Sequence, residues 1–413
     1  MSLSLQQIIY QDIERHSIFN LFVFNSYFES TFGSHYPKDI IFFINNLFLG
    51  LLQLKIFCGG ANSMILTDSN EIYVWGCNAS GQLGIGDNRD RTIPHQLPLV
   101  NVKEVSFGGA HSIALTHSNE IYVWGNNKYG HLGLGDKNNR NTPQILLKYS
   151  RAKARTFPVE GEKIKQIVCG NTHSMALTYS NEIYIWGHNT SGQLGFGDDD
   201  QNSPRKLDLE NVKEIFCGTA HSIALTYENE VYVWGHNYYG ELGLGDNDHR
   251  YTPHKLPFPA NGEKVKQIIC GDNHSIAVTY SNEIYVWGSN ESGELGLGHN
   301  DDQNTPQRLL FFAEWKGVKQ IFSGYNHSMI LTYENEVYVW GSNSRGQLGL
   351  GDTADRNTPQ KLPLSNIKEI FCGGTFSMAL TNSYEIYGWG SNTSGELGLG
   401  DKNNRNVPTK LEF

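Results

Sequence analysis

Histidine and aspartate side chains in a recurring turn are the residues of this sequence best suited to chemistry. Asp272 lies in one of five G-x-x-H turns, whose histidines are His111, His173, His221, His274 and His327. An imidazole can transfer protons, hold a metal or bind a partner, and a nearby carboxylate tunes each of these roles. A histidine repeated in this way also suits a structural hydrogen bond to the backbone between repeats. Both interpretations stay open, and the ring of turns is the best candidate functional face.

Other motifs with chemical meaning are weaker. The repeated G-x-x-G-x-G resembles a phosphate loop, but proline and a strand follow it where a dinucleotide site needs a helix. The run Asp198-Asp199-Asp200 could suggest calcium, yet it lacks a suitably spaced bidentate glutamate, so a solvated loop is expected. The sequence contains no G-x-S-x-G, no H-E-x-x-H and no cysteine nucleophile with a plausible partner. We therefore predict no catalytic residue, no cofactor and no metal.

Five of the six cysteines precede the same glycine in different repeats. They are Cys58, Cys169, Cys217, Cys270 and Cys372. One cysteine per repeat, without any C-x-x-C, is not the spacing of a metal site, and we predict small buried residues at strand ends. Because disulfides between repeats are not expected, a reducing compartment, cytoplasmic or nuclear, is predicted.

The elements that must position these residues recur seven times. A tryptophan begins the frame W-G-x-N-x-x-x-G-x-L-G-x-G at Trp75, Trp124, Trp186, Trp234, Trp287, Trp340 and Trp389. The steps between them are 49, 62, 48, 53, 53 and 49 residues. A period in this range is typical of a repeat architecture. We therefore expect one closed array of repeats over residues 55–413.

One repeat, residues 103–146, shows how the unit should fold. A mixed run followed by the apolar run Ile113–Thr116 predicts two strands. Ser118-Asn119 then predicts a tight turn into the strand that carries the tryptophan, because asparagine tolerates positive φ. Pro143 opens an outer segment, which proline accepts only at an edge or a strand start. Three or four antiparallel strands, repeated seven times, predict an all-β seven-bladed propeller in which the tryptophans fill the space between blades.

The charge balance limits the partners. The chain carries a formal net charge of −10. Broad binding to nucleic acid is therefore disfavoured, because it depends on lysine and arginine neutralising phosphates. One local basic patch remains compatible with this charge.

Two insertions interrupt the period. Residues 147–162 contain Arg151, Lys153 and Arg155 and are the most basic stretch of the chain. They could dock an acidic partner or phosphate, or form a solvated loop. Residues 310–316 contain Phe311, Phe312 and Trp315. Exposed aromatic residues on a loop would suit a binding hot spot, although packing against the propeller is an equal alternative.

The repeat unit, G-x-x-H-S-x-A-L-T followed by E-I-Y-V-W-G-x-N and G-x-L-G-x-G-D, resembles the repeat of the regulator of chromosome condensation family. The resemblance covers residues 55–413 and implies a seven-bladed propeller. It implies several possible activities: nucleotide exchange on Ran, chromatin binding, a part in ubiquitin ligases, or protein interaction alone. The family's exchange factor uses Asp and His residues of these turns, which would assign Asp272 and the five histidines to a partner-binding face. Its protruding β-wedge has no counterpart in this sequence.

Residues 1–54 do not match the repeat. Pro37 followed by an apolar run to Leu49 predicts a short helical segment. The segment could cap the propeller, form an F-box-like module that grips a Skp-type adaptor, or associate with a membrane. Its apolar stretches are too short to span a bilayer. Whether the last strand of residues 55–413 completes its own blade also stays open.

From these observations we predict a monomeric, non-enzymatic protein-interaction scaffold, with a substrate receptor of a ubiquitin ligase as its specific form. The alternative is a guanine-nucleotide exchange factor for a Ran-like small GTPase. Exchange requires only that the protein bind the nucleotide-free GTPase more tightly than the loaded one. The predicted partners are therefore proteins, either a small GTPase or a Skp-type adaptor, and chromatin is disfavoured by the charge.

Overall fold

Each of the seven repeats folds into a four-stranded antiparallel sheet whose strands are consecutive in the chain. The computed structural model describes residues 54–67, 69–146, 162–258, 262–310 and 317–412. Within these residues the sheets form blades 1 to 7 of a ring, in which neighbouring first strands contact each other, including those of blades 7 and 1. The predicted all-β seven-bladed propeller is confirmed, with four strands in every blade.

The strands of each blade run from the central channel outward. The first strands are β1 (Lys55–Cys58), β5 (Val102–Phe107), β9 (Ile164–Cys169), β13 (Val212–Cys217), β17 (Val265–Cys270), β21 (Val318–Ser323) and β25 (Ile367–Cys372). The second strands are β2 (Asn62–Leu66), β6 (His111–Thr116), β10 (His173–Thr178), β14 (His221–Thr226), β18 (His274–Thr279), β22 (His327–Thr332) and β26 (Phe376–Thr381). The third strands are β3 (Ile72–Gly76), β7 (Ile121–Gly125), β11 (Ile183–Gly187), β15 (Val231–Gly235), β19 (Ile284–Gly288), β23 (Val337–Gly341) and β27 (Ile386–Gly390). The outer strands are β4 (Arg91–Leu97), β8 (Arg140–Ile145), β12 (Gln201–Leu207), β16 (Arg250–Leu256), β20 (Gln303–Arg308), β24 (Arg356–Lys361) and β28 (Arg405–Lys410).

The second strands are buried on both sides. In β6 every residue from His111 to Thr116 is buried, because each blade packs between two neighbours and both faces of its sheet are covered. A continuous apolar run is therefore required here, whereas the outer strands face solvent. Proline accordingly occurs in the outer strands, at Pro143 of β8 for example, where an edge leaves its missing N–H without cost.

The tryptophans lie between blades, as predicted. All seven are fully buried. Trp234 of blade 4 packs with Leu194 of the blade 3 loop, and its Nε1 donates a hydrogen bond to the Gln193 carbonyl at 2.9 Å. Gly195 adopts a positive φ beside this indole, and a side chain there would crowd the ring. Each blade is thereby attached to the loop of the preceding blade.

The tight hairpins between second and third strands also match the prediction. Asn119 adopts a φ of 68°, and its Oδ1 accepts a hydrogen bond from the Ile164 amide of the next blade at 2.8 Å. In blade 7 the same position is Tyr384, with a φ of 61°. This left-handed conformation costs a non-glycine residue about 1–2 kcal/mol, and the ammonium of Lys368, 4.4 Å from the ring centroid, offsets part of that cost.

Alternating strand directions place the connections on two opposite faces. The G-x-x-H turns and the long glycine-rich loops between third and outer strands lie on one face, which we call the loop face. The hairpins and the connections between blades lie on the other, which we call the hairpin face. The C-terminal ends of β8 and β20 therefore lie at the hairpin face.

The ring closes without exchanging a strand. β28 pairs with β27 of its own blade, which answers the question that the sequence left open. Blade 7 instead holds blade 1 through side chains and loops: Trp75 Nε1 donates to the Glu396 carbonyl at 2.8 Å, and Lys402 pairs with Asp90 at 2.9 Å.

The predicted N-terminal helical segment, residues 1–54, lies outside the described residues except for Leu54. The part of the chain that the structure describes contains no helix with the length and apolarity that crossing a bilayer requires.

Candidate functional site

The five histidines of the G-x-x-H turns lie between blades, where each is at most 1% exposed. Their Nε2 atoms contact serine Oγ atoms of the next blade: His111 with Ser174 at 2.9 Å, His173 with Ser222 at 2.9 Å, His221 with Ser275 at 3.1 Å, His274 with Ser328 at 3.2 Å and His327 with Ser377 at 3.0 Å. The structural alternative that the sequence left open therefore has a physical form, although the acceptor is a side chain and not the backbone. A partner-binding role for these buried imidazoles stays a prediction.

The serine fixes the direction of each hydrogen bond. Ser222 Oγ donates to the Gln193 carbonyl at 2.8 Å, so it must accept its second hydrogen bond from the Nε2–H of His173. Nδ1 of His173 is then unprotonated, and it is buried without a hydrogen-bond partner, as is Nδ1 of the other four histidines. Two successive hydrogen bonds, from imidazole to hydroxyl and from hydroxyl to carbonyl, thus link the second strands of two blades to a loop of the first of these blades.

Burial keeps these imidazoles neutral. Desolvation lowers the pKa of His173 and His274 to about 3. It lowers the pKa of His221 and His327 to about 4, and that of His111 well below its ordinary value. Uncharged rings of this kind are structural at neutral pH, and they make the fold sensitive to acid.

The accessible part of the G-x-x-H ring is the residue that follows each glycine. Around the channel these residues line a depression of about 130 Å³ on the loop face. In blade order they are Gly60, Gly109, Asn171, Thr219, Asp272, Tyr325 and Gly374. Blades 3 to 6 therefore present polar side chains, and blades 7, 1 and 2 present glycine.

The glycines make room for side chains that cross the channel. A side chain at Gly60 or Gly374 would collide with the Tyr325 ring, and one at Gly109 would collide with Asn171. The lining of the depression is therefore asymmetric, and Thr219 and Asp272 lie on its polar side. Variation at this position of the repeat was the signal in the sequence that could have identified Asn171 and Tyr325.

Asp272 is the acid of this depression. Burial raises its pKa to about 6, with a further contribution from the nearby Glu241 carboxylate. Its Oδ1 is buried without a hydrogen-bond partner. Its backbone joins blades, because the Asp272 amide donates to the Tyr325 carbonyl at 3.0 Å and the Thr219 amide donates to the Asp272 carbonyl at 3.1 Å.

A second group of titratable side chains lies in the adjoining loop of blade 4. His236 Nδ1 is 2.5 Å from Oε1 of the fully buried Glu241. The His249 ring is tilted against that of His236, with the ring centroids 4.7 Å apart, and its Nδ1 accepts a hydrogen bond from the Asn237 amide at 3.0 Å. Sequence reasoning did not single out these residues, because their positions in the loop vary from blade to blade.

The long loops of three neighbouring blades carry a concentration of negative charge. Residues 188–200, 236–249 and 289–302 contain ten acidic residues and neither lysine nor arginine. The four corresponding loops of the other blades contain seven acidic residues and five lysines or arginines. We call the three loops, with Asp272, the acidic sector. Tyr238 in its centre is 65% exposed.

Blade 5 shows how this charge arises. In five blades the aspartate that directly follows the last loop glycine pairs with an arginine that begins the outer strand, as Asp246 does with Arg250 at 2.5 Å. In blade 5 both partners change together, to His299 and Gln303. His299 Nδ1 accepts a hydrogen bond from the Asp301 amide at 3.2 Å, the bond that the aspartate accepts elsewhere. The loop hydrogen bond is therefore kept although the arginine is lost. Burial raises the pKa of Asp302, and the nearby Glu291 and Asp301 carboxylates raise it further.

The remaining predicted candidates lie outside the described residues. They are Arg151, Lys153, Arg155, Phe311, Phe312 and Trp315. Among the residues with a described position, no three His, Cys, Asp or Glu side chains are grouped to hold a metal ion. The six cysteines are free, and burial raises the pKa of Cys169 and Cys270 to about 12, so these thiols are unreactive.

Comparison with known proteins supports the same architecture. A model of the RCC1-like domain matches residues 147–316. Two models of the regulator of chromosome condensation (RCC1) repeat match residues 69–115, 334–380 and 385–413, and residues 54–82, 102–130, 318–347 and 367–396.

Individual relatives cover much of the chain. Ultraviolet-B receptor UVR8 of Arabidopsis thaliana is 34% identical over 75% of this chain and 58% of its own length. The probable E3 ubiquitin-protein ligase HERC4 of Homo sapiens is 32% identical over 79% of this chain and 25% of its own length. The chain thus spans less than two thirds of either relative.

The solved structure of Prp20p from Saccharomyces cerevisiae, described with its binding properties to Gsp1p and histones, superimposes with a TM-score of 0.71 and 25% identity, over 87% of this chain and 86% of that one. Fold, repeat frame and family models agree from Leu54 to the last outer strand. The chain belongs to the regulator of chromosome condensation repeat family.

Proposed function

We propose that this chain is a non-enzymatic protein-interaction scaffold that presents its loop face to a partner. The proposal rests on a difference between the polar groups that are repeated in the blades and those that vary. The repeated histidines, serines and tryptophan N–H groups are engaged between blades, whereas the residues that vary between repeats line the channel mouth and the loops. Because the repeated polar groups hydrogen-bond within the propeller, the variable residues of the surface remain free for recognition.

The acidic sector defines the chemistry of the partner. Three adjacent acidic loops around the exposed Tyr238 favour a basic protein segment, because charge complementarity raises the association rate and excludes wrong partners. Tyrosine supplies the aromatic contact area that interface centres use.

Matched charge variants of the full chain test this proposal by affinity capture and quantitative mass spectrometry. The acidic-sector variant replaces four exposed carboxylates: Asp198→Asn, Asp199→Asn, Asp248→Asn and Glu291→Gln. The control makes the same charge change on the hairpin face: Asp208→Asn, Glu210→Gln, Glu228→Gln and Glu412→Gln. We expect basic partners to be lost from the first variant and kept by the second. Equal capture by both variants would contradict the assignment of this face.

The finer proposal is a substrate receptor of a ubiquitin ligase, in a cytoplasmic or nuclear compartment. The similarity to HERC4 and the F-box-like pattern of residues 1–54 support it. The test compares binding of a Skp-type adaptor to the full chain and to residues 55–413. Adaptor binding that depends on residues 1–54 is expected, and its absence from the full chain would exclude this role.

Nucleotide exchange on a Ran-like GTPase is the second candidate, and it is favoured by the placement of Asp272 at the channel mouth and by the likeness to Prp20p. Replacing Asp272 with Ala should slow nucleotide release from the GTPase without unfolding the ring. Thr219→Ala, in the neighbouring turn, is the matched control. Unchanged exchange in the Asp272 variant would remove that residue from the mechanism, and no exchange by the unsubstituted chain would remove the candidate.

A further inference from the structure

The hairpin-face end of the channel is surrounded by lysines. Each first strand has a lysine directly after a buried aliphatic residue, at the end of the strand opposite to the G-x-x-H turn. The seven are Lys55, Lys103, Lys165, Lys213, Lys266, Lys319 and Lys368. We call them the lysine collar. A six-residue strand is about 20 Å long, so the collar and the acidic sector lie at opposite ends of the channel.

Backbone irregularities position six of these lysines. In blade 4 the pairing of β13 with β14 passes from Val212 to Glu214, so that Lys213 is an unpaired bulge residue. The same shift leaves out Lys103, Lys165, Lys266, Lys319 and Lys368. A bulge re-aims the side chain that it carries, and bulges are common beside functional sites.

The ammonium groups follow the circumference of the channel. Lys165 Nζ donates to the Lys213 carbonyl at 2.7 Å, and Lys319 Nζ donates to the Lys368 carbonyl at 3.0 Å. Both lysine side chains thus reach the first strand of the next blade. Among the described residues, Glu104, Glu214 and Glu369 are the carboxylates on these strands, and Lys213 pairs with Glu214 at 3.0 Å. The first strands thus contain seven lysines and three glutamates, in a chain with a net charge of −10. The exposed Glu228 and Glu334 lie in the flanking hairpins.

Exposed tyrosines flank the collar in four consecutive blades. Tyr179, Tyr227, Tyr280 and Tyr333 begin the hairpins of blades 3 to 6, and each is between 56% and 62% exposed. Lys165 lies 5.1 Å from the Tyr227 ring centroid, and Lys266 lies 5.6 Å from that of Tyr333. Ammonium and phenol groups side by side offer several hydrogen-bond donors to one anion.

We propose that the lysine collar and these tyrosines bind an acidic, Asp- and Glu-rich peptide segment of a partner protein. Carboxylates fit closely spaced ammonium and phenol donors, and the acidic loop face repels the same segment, so the collar is the end of the channel where it can bind. Single-stranded nucleic acid is disfavoured because base stacking needs free aromatic faces, and the lysines already lie over the Tyr227 and Tyr333 rings. The proposal is independent of the acidic sector, whose partner is basic.

Fluorescence anisotropy with a labelled deca-glutamate peptide tests the proposal on the full chain. The double variant Lys266→Gln/Lys319→Gln should weaken binding about tenfold, since it removes two exposed ion pairs, each of which contributes modestly. Lys266→Arg/Lys319→Arg keeps the charge and should retain binding. Lys128→Gln/Lys137→Gln makes the same charge change on the loop face and should also retain it. Thermal midpoints of all variants are measured alongside, so that a loss of fold is not taken for a loss of binding.

Three results would overturn the proposal. The first is an absence of saturable deca-glutamate binding by the unsubstituted chain, and the second is equal binding by the collar double variant and the loop-face control. Tighter binding of a ten-residue oligothymidylate than of deca-glutamate would replace the acidic peptide with a single-stranded nucleic acid.

Discussion

The junctions between blades are of two kinds. Five junctions, from blades 2 and 3 through blades 6 and 7, contain a histidine–serine contact. The two junctions that flank blade 1 do not. Phe376 takes the place of the histidine between blades 7 and 1, and Asn62 takes it between blades 1 and 2. Both residues are buried, and Asn62 Nδ2 is left without a hydrogen-bond partner.

The contacts that remain at blade 1 show what closure requires. Ser63 Oγ and Trp75 Nε1 both donate to the Glu396 carbonyl, each at 2.8 Å. Ser112 and Trp124 make the same pair of bonds to the Gln82 carbonyl, at 3.0 and 2.8 Å. The tryptophan, the serine and one loop carbonyl therefore form the attachment shared by every junction. The histidine is an additional link, and it brings a titratable group into the core.

Of the effects predicted here, the largest is the loss of stability in acid, which should arise mainly at the five histidine junctions. Each imidazole has a folded pKa below its unfolded value of about 6.5, so the unfolded chain binds more protons. The free energy of unfolding is therefore intact above pH 6.5 and falls as the pH decreases toward 4. The slope approaches about 1.4 kcal/mol per pH unit for each histidine, or roughly 7 kcal/mol per pH unit for five. The buried His131, whose pKa desolvation also lowers to about 4, adds to this slope. Chemical denaturation at several pH values measures it.

Carboxylates modify this slope in both directions. Asp246 and Asp401 have a lowered pKa from their arginine hydrogen bonds and add to the loss in acid, whereas Asp272, with a raised pKa, opposes it. Neither type carries its main change between pH 6.5 and 6. A flat stability profile over that interval would show that the histidines are not neutral in the folded protein.

Removing a tryptophan should cost the same at both kinds of junction. Trp234→Ala at a histidine junction and Trp75→Ala at the junction of blades 7 and 1 should each lower the free energy of unfolding by about 3–5 kcal/mol. Each leaves a large cavity and removes one donor from a buried carbonyl. Urea denaturation of the two variants at pH 8 gives the comparison. A much smaller cost at Trp75 would mean that the ring is open at blade 1.

Much of this attachment could be predicted from the sequence. The spacing of the tryptophans, the asparagine in six of the seven hairpins and the outer-strand prolines are local signals, and all of them were interpreted correctly. The histidine–serine contact could not be predicted in detail, because the serine belongs to the next repeat and nothing in one repeat specifies that distance. Ring closure was open for the same reason, since it depends on Glu396 and Trp75, which are 321 residues apart.

The candidate site was less predictable than the frame. Repetition drew attention to the histidines, yet each of them is buried between two blades. The acidic sector becomes visible only when residues 188–200, 236–249 and 289–302 are placed side by side on one face. The lysine collar is repeated as well, but its meaning depends on bulges that no local pattern specifies.

At the junction of blades 1 and 2, the residue in the histidine position is smaller than at the histidine junctions, and the neighbouring first-strand residue is larger. Asn62 and Phe107 both lie against Gly59, whereas four of the five histidine junctions have a cysteine at the position of Phe107, and the fifth has Ser323. Ser323 Oγ is 2.6 Å from His274 Nε2, so this position borders the imidazole site. The double variant Asn62→His/Phe107→Cys should therefore be more stable than Asn62→His alone, with a coupling of about 1–3 kcal/mol.

A double-mutant cycle measured by urea denaturation at pH 8 checks this coupling. Asn62→His alone should be overpacked, and Phe107→Cys alone should leave a cavity. The pair Asn62→His with Phe216→Cys, a first-strand residue of blade 4, is the control and should be additive because Phe216 packs in a cluster without any blade 1 residue. Additivity in the first cycle would show that Phe107 does not compensate for the short asparagine.

A reciprocal exchange between the two kinds of junction should have the smallest effect on stability and the clearest effect on pH dependence. His221→Phe removes the hydrogen bond to Ser275 but keeps a ring of similar size, as Phe376 shows, so the cost at pH 8 should be about 1 kcal/mol. It should also lower the acid slope by about 1.4 kcal/mol per pH unit, one histidine's share. Phe376→His should do the reverse, since Ser63 Oγ donates to the Glu396 carbonyl and can accept from an imidazole. Guanidinium denaturation at pH 8 and pH 6 separates the two quantities. If His221→Phe lowers stability equally at both values, the histidine link contributes packing alone and the distinction between the two kinds of junction is one of shape.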